Sequence, residues 1–200
     1  MLQKSILMIL FLLSINTYSQ ETHFPNIIMM IGDGMGLSQI STGMYSNGNY
    51  TSLERSDYVG LIKTHSADNL VTDSAAAGTA MSSGVKTNNK VVGMDINFNP
   101  VKSILQTCME NGYSTAVLVT STIVHATPAS YYSNVKSRYD YEEIASQLVN
   151  SGINFFVGGG EKYFNDRYDA RDLTNEMNDY FFANNFDSFK KSDSNKIGNL

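Results

Sequence analysis

Two hundred residues, 42% hydrophobic and 16% charged with only three prolines, can bury a core of their own, which excludes a disordered tail, a collagen-like repeat and a low-complexity linker. Nineteen acidic against fourteen basic side chains give a formal charge of −5, so a general nucleic-acid-binding surface is excluded, while an anionic substrate stays accessible wherever cations are concentrated locally. The single cysteine, Cys108, allows no intrachain disulfide and falls in a helical pattern with Ile104 and Leu105, where it reads as a small buried hydrophobe.

The chain opens with Lys4, an apolar run over 6–13 and a polar stretch that sets Thr17 and Ser19 ahead of Gln20. This is the layout of a secretory signal, with 1–19 removed and 20–200 exported to the periplasm or secreted. The run is far shorter than the ~20 apolar residues that span a bilayer, so no mature membrane anchor is expected. Next, IIMMI (27–31) reads as a buried strand, continuous in apolar residues and ended by the glycine cluster GDGMG (32–36). VTDSAAAGTAMSSG (71–84) reads as a helix of small residues lying close against a sheet, with Ser74 at its start.

A helix over 100–111 follows, with Asn99 as its cap, Pro100 in the first position and Gly112 as its stop. AVLVT (116–120) is the second strand. Asp140 with Glu143 three residues on suggests a capping box for a helix that presents Ile144, Ala145, Leu148 and Val149 and ends near Gly152. INFFVG (153–158) is the third strand, and the glycines at 158–160 read as a turn, since no GK[ST] follows to make a phosphate-binding loop. The stretch 171–200 carries a helical segment around LTNEMNDYFFANN and then the ionic FKKSDSNK. No helix or cap closes it at IGNL, which leaves a fragment as one reading. Strand and helix alternate, so the expected class is α/β, a three-layer sandwich with a largely parallel central sheet and its chemistry at the carboxyl ends of the strands.

Four places could carry chemistry, two of them after strands and two at or just before helix starts. Asp33 in GDGMG either holds a glycine turn or is a hard oxygen ligand for a divalent metal. A dinucleotide loop is excluded there because GxGxxG would need glycine where Leu37 stands. Ser74 lies where helical N–H groups and partial positive charge favour a phosphate and a serine alkoxide, against the plainer reading that Asp73 or Ser74 only caps the helix. No GxSxG elbow surrounds Ser74, so activation would come from a metal. His125 and Thr127 in VHATPASYY alternate in an extended segment before Pro128, which would aim both side chains the same way. Arg138 either grips phosphate oxygens with its planar fork or stands solvated beside Asp140. His23 and His65 read as exposed or peripheral, and Lys63, Lys86 and Lys136 give less geometric reason than Arg138.

Taken in order, NIIMMIGDGMG, VTDSAAAGTAMSSGVKT, HATPA, Arg138 and VGGGEKYF resemble the alkaline phosphatase family, from about Asn26 to Phe164 with a fainter continuation to the end. The resemblance implies hydrolysis of phosphate monoesters at a centre of two Zn2+ ions and a third site that usually holds Mg2+. It makes Ser74 the nucleophile that becomes phosphoserine and a zinc ligand. Asp33 becomes the carboxylate bridging one zinc and the magnesium site, Thr127 the hydroxyl ligand of the third metal, and Arg138 the clamp on nonbridging phosphate oxygens. Asp73 and His125 fall beside these as positioning residues. Family members carry Asp or His where His125 stands, and with His the tie to a hydrated magnesium is altered. A homodimer is compatible with the family.

The family's remaining ligands, a set of Asp and His residues and a Glu, lie further along a longer chain. The expectation is therefore that 20–200 is the N-terminal part of the catalytic domain and lacks a complete bimetallic site by itself, because zinc wants about four ligands. Two rival readings stand beside it, a noncatalytic phosphate- or metal-binding remnant and a related sulfatase or phosphodiesterase.

Overall fold

The computed structural model describes residues 25–200, and the expected signal segment at 1–19 and His23 lie outside them. Two compact units divide the chain, Met1–Gly32 and Asp33–Leu200. In the first, residues 25–32 form no regular element, and Ile27, Ile28 and Met30 are 81, 83 and 90% exposed. The strand expected over IIMMI is therefore not formed. An apolar extended run becomes a strand only when neighbours take up its backbone N–H and C=O groups, and among the described residues it has no strand pairing.

The second unit is α/β. Its elements in order are α1 (Leu37–Ser46), a 3-10 turn (Ser52–Arg55), α2 (Ser74–Ser83), α3 (Ile104–Glu110), β1 (Ala116–Thr122), α4 (Ala126–Ala129), α5 (Tyr141–Val149), β2 (Phe155–Gly159), α6 (Lys162–Asn165), α7 (Leu173–Glu176), β3 (Phe181–Phe182), α8 (Phe186–Lys191) and β4 (Ile197–Asn199). The strands form one open, wholly parallel sheet in the order β1-β2-β4-β3, flanked by helices. Val117 and Phe156 are register partners, as are Phe156 and Gly198, so the buried side chains of β1 and β2 stack in line with β4. Around them close Ile123, Val124, Ile144, Leu148, Ile153, Phe164 and Leu173, all fully buried. No helix among the described residues is long and apolar enough to cross a membrane.

Several expected boundaries move for identifiable reasons. The helix expected from Pro100 starts at Ile104, because Ser103 makes the capping box with Gln106 while Pro100 forms an isolated antiparallel bridge with Met94. Its stop at Gly112, with φ of 80°, is as expected. Asp140 occupies the N-cap position of α5 but makes no side-chain cap bond, and Glu143 accepts from Gln147 instead. The last 30 residues hold two further strands, β3 inside the stretch expected as helix and β4 in IGNL, where no element was expected. IGNL supplies β4, which lies between β2 and β3.

Helix α2 was expected to lie close to a sheet, yet its close partner is the segment at α4. A Cβ on Gly78 would come within 2.8 Å of Ser130 Oγ, and Ser82 Oγ donates to the Ser130 carbonyl at 2.7 Å. The run of small residues is what permits that approach.

Candidate active site

Three loops converge on Asp33. The turn at Asp33 and Gly34, where Gly34 takes a left-handed φ of 67°, exposes the Asp33 carboxylate just ahead of α1. Ser74 is the first residue of α2 and donates its hydroxyl to Asp33 Oδ1 at 3.0 Å. Thr127, on α4 after β1, donates to Asp33 Oδ2 at 2.8 Å. One carboxylate thus receives a different hydroxyl on each oxygen, from residues 41 and 94 positions away.

The Ser74 position follows from its cap. Asp73 has extended backbone and takes the Ala76 N–H on Oδ1 at 3.0 Å, so the capping reading holds for Asp73 while Ser74 is the first helical residue. The other carboxylate oxygen accepts from Lys90 N–H at 3.0 Å and from Arg138 Nη1 at 3.1 Å. Arg138 is thereby set beside the segment that carries Ser74, with both partners of the pair partly buried. It is not solvated beside Asp140.

The Thr127 position depends on the turn after β1. Tyr132, a buried core residue, donates its phenol to the Ile123 carbonyl at 2.7 Å, and burial pushes that phenol up, so it stays neutral. His125 is the N-cap of α4, its imidazole makes no cap bond, and its N–H donates to the Thr122 carbonyl at 3.0 Å. The extended run expected through Thr127 is replaced by helix. Pro128 sits inside the first turn, where its missing N–H would be unpaired in any case, so the simple alternation that aimed His125 and Thr127 alike does not apply.

Other candidates lie elsewhere. His65 is exposed and offers only its carbonyl, to Lys86 Nζ. Lys136 covers the Phe98 ring at 5.3 Å. Asn89 joins the site only through the fold: its side chain accepts from Asp73 N–H at 3.0 Å and donates to the Val71 carbonyl at 2.9 Å. In KTNNK it reads only as a turn residue, since neither partner is near it in sequence.

Asp33, Ser74 and Thr127 together present hard oxygen donors, the chemistry that suits a divalent cation shared between a carboxylate and two hydroxyls. Among the described residues no group of three or more His, Cys, Asp or Glu comes together.

The alkaline phosphatase family matches residues 24–196 of the chain. Alkaline phosphatase 4 of Bacillus subtilis (strain 168) is 38% identical over 195 residues, covering 88% of this chain and 42% of that protein. The repressible alkaline phosphatase of Saccharomyces cerevisiae is 31% identical over 202 residues, covering 86% of this chain and 36% of that one. Among solved structures, the alkaline phosphatase of the Antarctic bacterium TAB5 superposes with a TM-score of 0.79 at 38% identity, over 84% of this chain and 50% of that one. Two of its variants, with a histidine replaced by aspartate or by glutamate, hold magnesium in a site called M3. This chain spans less than half the length of those two curated relatives. With 24–196 of its 200 residues matched, the chain belongs to the alkaline phosphatase family.

Proposed function

We propose that this chain is the N-terminal part of the catalytic domain of an exported, metal-dependent phosphatase that hydrolyses phosphate monoesters through a phosphoserine at Ser74. The observation that carries the reading is the Asp33 carboxylate, bonded on one oxygen by a hydroxyl at a helix start and on the other by Thr127. Asp33 would hold one of two zinc ions and the third cation, magnesium. Ser74 would ligate a zinc and Thr127 the magnesium. Bound there, the ions supply Lewis-acid charge to the serine oxygen and the leaving oxygen, and lower the pKa of water.

The chain's own residues do the rest. Ser74 Oγ attacks phosphorus while the ester P–O bond breaks; the proton that Ser74 gives up is balanced by the one the leaving oxygen takes up, so that the alcohol departs and the phosphoryl group sits on Ser74. Water then cleaves the Ser74 phosphoester and frees inorganic phosphate. The partial positive charge at the start of α2 favours the anion that would form at Ser74. Arg138 would take the nonbridging oxygens, its guanidinium steadied by Asp73, so that it need not reorganise during transfer. His125, beside Thr127, is taken as the residue that tunes the third cation.

The test is phosphoenzyme trapping in the full-length enzyme with an aryl phosphate. Ser74→Ala should yield no acid-stable phosphoprotein and lose turnover by several orders of magnitude. Label trapped on that variant would move the nucleophile elsewhere. Residues 20–200 alone, given zinc and magnesium, should release little phosphate, and robust turnover would refute the assignment of this chain as one part of the domain.

A further inference from the structure

Ahead of Ser74 the backbone is held not by a strand or a helix but by side chains: Asn69 Oδ1 takes the Val71 N–H at 2.9 Å, and Asn89 makes the two bonds nearest the nucleophile. Asn89 accepts from Asp73 N–H on Oδ1 at 3.0 Å and donates from Nδ2 to the Val71 carbonyl at 2.9 Å. These are the donor and the acceptor that an adjacent strand would offer to residues 71 and 73. They pin the two peptides on either side of Thr72, immediately before the nucleophile.

Asn89 is itself anchored from behind. Its N–H donates to Asp68 Oδ1 at 2.9 Å, the same oxygen that takes the Ser66 hydroxyl at 2.9 Å, and Ser66 is buried. Those hydrogen bonds, the Asn89 N–H first, keep the Asp68 carboxyl below its ordinary range and hence an ionised acceptor. The Ala67 N–H donates to the Thr87 carbonyl at 2.9 Å, so segments 66–69 and 87–89 form one brace.

The next residue extends the brace to the arginine. Lys90 has φ of 73°, a conformation that side chains other than glycine seldom take, and both its backbone groups are used. Its N–H reaches Asp73 Oδ2 at 3.0 Å and its carbonyl accepts Arg138 N–H at 2.8 Å. A two-residue turn therefore touches the nucleophile's segment three times and the arginine's backbone once, yet its hydrogen bonds include none to Asp33, Ser74 or Thr127.

We propose that Asn89 is a positioning residue of the reaction, clamping residues 71–73 so that Ser74 is presented to the phosphorus in a fixed place; this rests on the phosphoserine reading above. Displacing a nucleophile by about 1 Å can cost 100-fold in rate without removing any reacting group. Loss of the clamp should therefore act chiefly on the phosphoryl-transfer step, because the Arg138 backbone keeps its bond to the Lys90 carbonyl, which the Asn89 side chain does not make.

The experiment is rapid-quench measurement of phosphoserine formation in the metal-loaded full-length enzyme with an aryl phosphate, each rate normalised to the phosphoenzyme finally formed, so that a smaller folded fraction does not register. Asn89→Ala should slow formation at least 10-fold with KM changed less than threefold. Asn89→Ser, which can make one of the two bonds, should fall between Ala and the parent. A parental normalised rate in Asn89→Ala overturns the proposal, as does a change confined to KM. If Asn89→Ala fails to fold, a parental rate in Asn89→Ser overturns it equally. Ser74→Ala run alongside separates the two readings. If it still turns over, both fall; if it is dead while the Asn89 variants are parental, only the clamp falls.

Discussion

Asp73 divides its carboxylate between a helix cap on one oxygen and an ion pair plus a backbone N–H on the other, and substitution can separate the two roles. Asp73→Ala removes both and should cost about 1 kcal/mol of stability from the cap alone. Asp73→Asn keeps an acceptor for the Ala76 N–H while removing the charge from Arg138. Its thermal unfolding midpoint should stay nearer the parent's than that of Asp73→Ala, and equal losses in the two variants would mean that the cap contributes little. This also marks the limit of what residues reveal before folding. Asp33 and Thr127 stand out because each falls in a short motif after an apolar run, and Ser74 because it opens a run of small helical residues. The pairing of Asp73 with Arg138 and the clamp at Asn89 do not, because their partners lie 65 and 16 positions away and only the fold brings them together.

At the scale of elements, hydrophobic period identified β1, α5 and β2, since each carries a long enough apolar pattern. It missed β3 and β4, which have two and three residues and hold their places through neighbours. Gly198 shows how. Its register partner Phe156 lies so close that a Cβ would come within 2.5 Å of the ring, and that ring is wholly buried. Gly198→Val should therefore destabilise by about 1–3 kcal/mol through overpacking, despite the gain in strand propensity. Chemical denaturation reads the difference directly, and a variant as stable as the parent would mean that the sheet can spread there at little cost.

A second element-scale device joins α5 to α6. The Arg167 guanidinium, almost fully buried, donates to the carbonyls of Glu142 and Tyr163 and to Ser146 Oγ, and it pairs with Asp169 at 2.6 Å. That arginine holds the Asp169 carboxyl down at about 2, against an ordinary 3.8. A depressed carboxyl contributes stability that is present above its ordinary value and lost as the pH falls through its folded value. The difference in melting temperature between the parent and Asp169→Asn should thus hold steady from neutrality to about pH 4 and shrink as the pH falls toward 2. A difference that vanishes already near pH 5 would contradict the pairing.

On the scale of the whole molecule, the distribution of exposed apolar side chains is the feature to explain. Single exposed hydrophobes are ordinary, but runs of them mark surfaces that something covers. Within the second unit, Tyr58, Val59, Leu61 and Ile62 are 91, 91, 97 and 80% exposed, and residues 58–65 form no regular element. Leu118 on β1 is 61% exposed, and β1 is an edge of the sheet whose other side has no strand among the described residues. The relatives are more than twice as long as the part matched here, and on the proposed reading, in which this chain is one part of a longer catalytic domain, the rest of that domain would cover these residues. Periodicity could not reveal this, because an apolar run reads the same whether its neighbours are near or far along the chain. Hydrogen exchange separates the cases. The amides of 58–65 should exchange at nearly unprotected rates in residues 20–200 alone and at least 100-fold more slowly in the full-length enzyme, while those of β2, paired on both sides already, should change far less. Equal exchange of 58–65 in the two proteins would mean that the remainder of the domain does not cover this face.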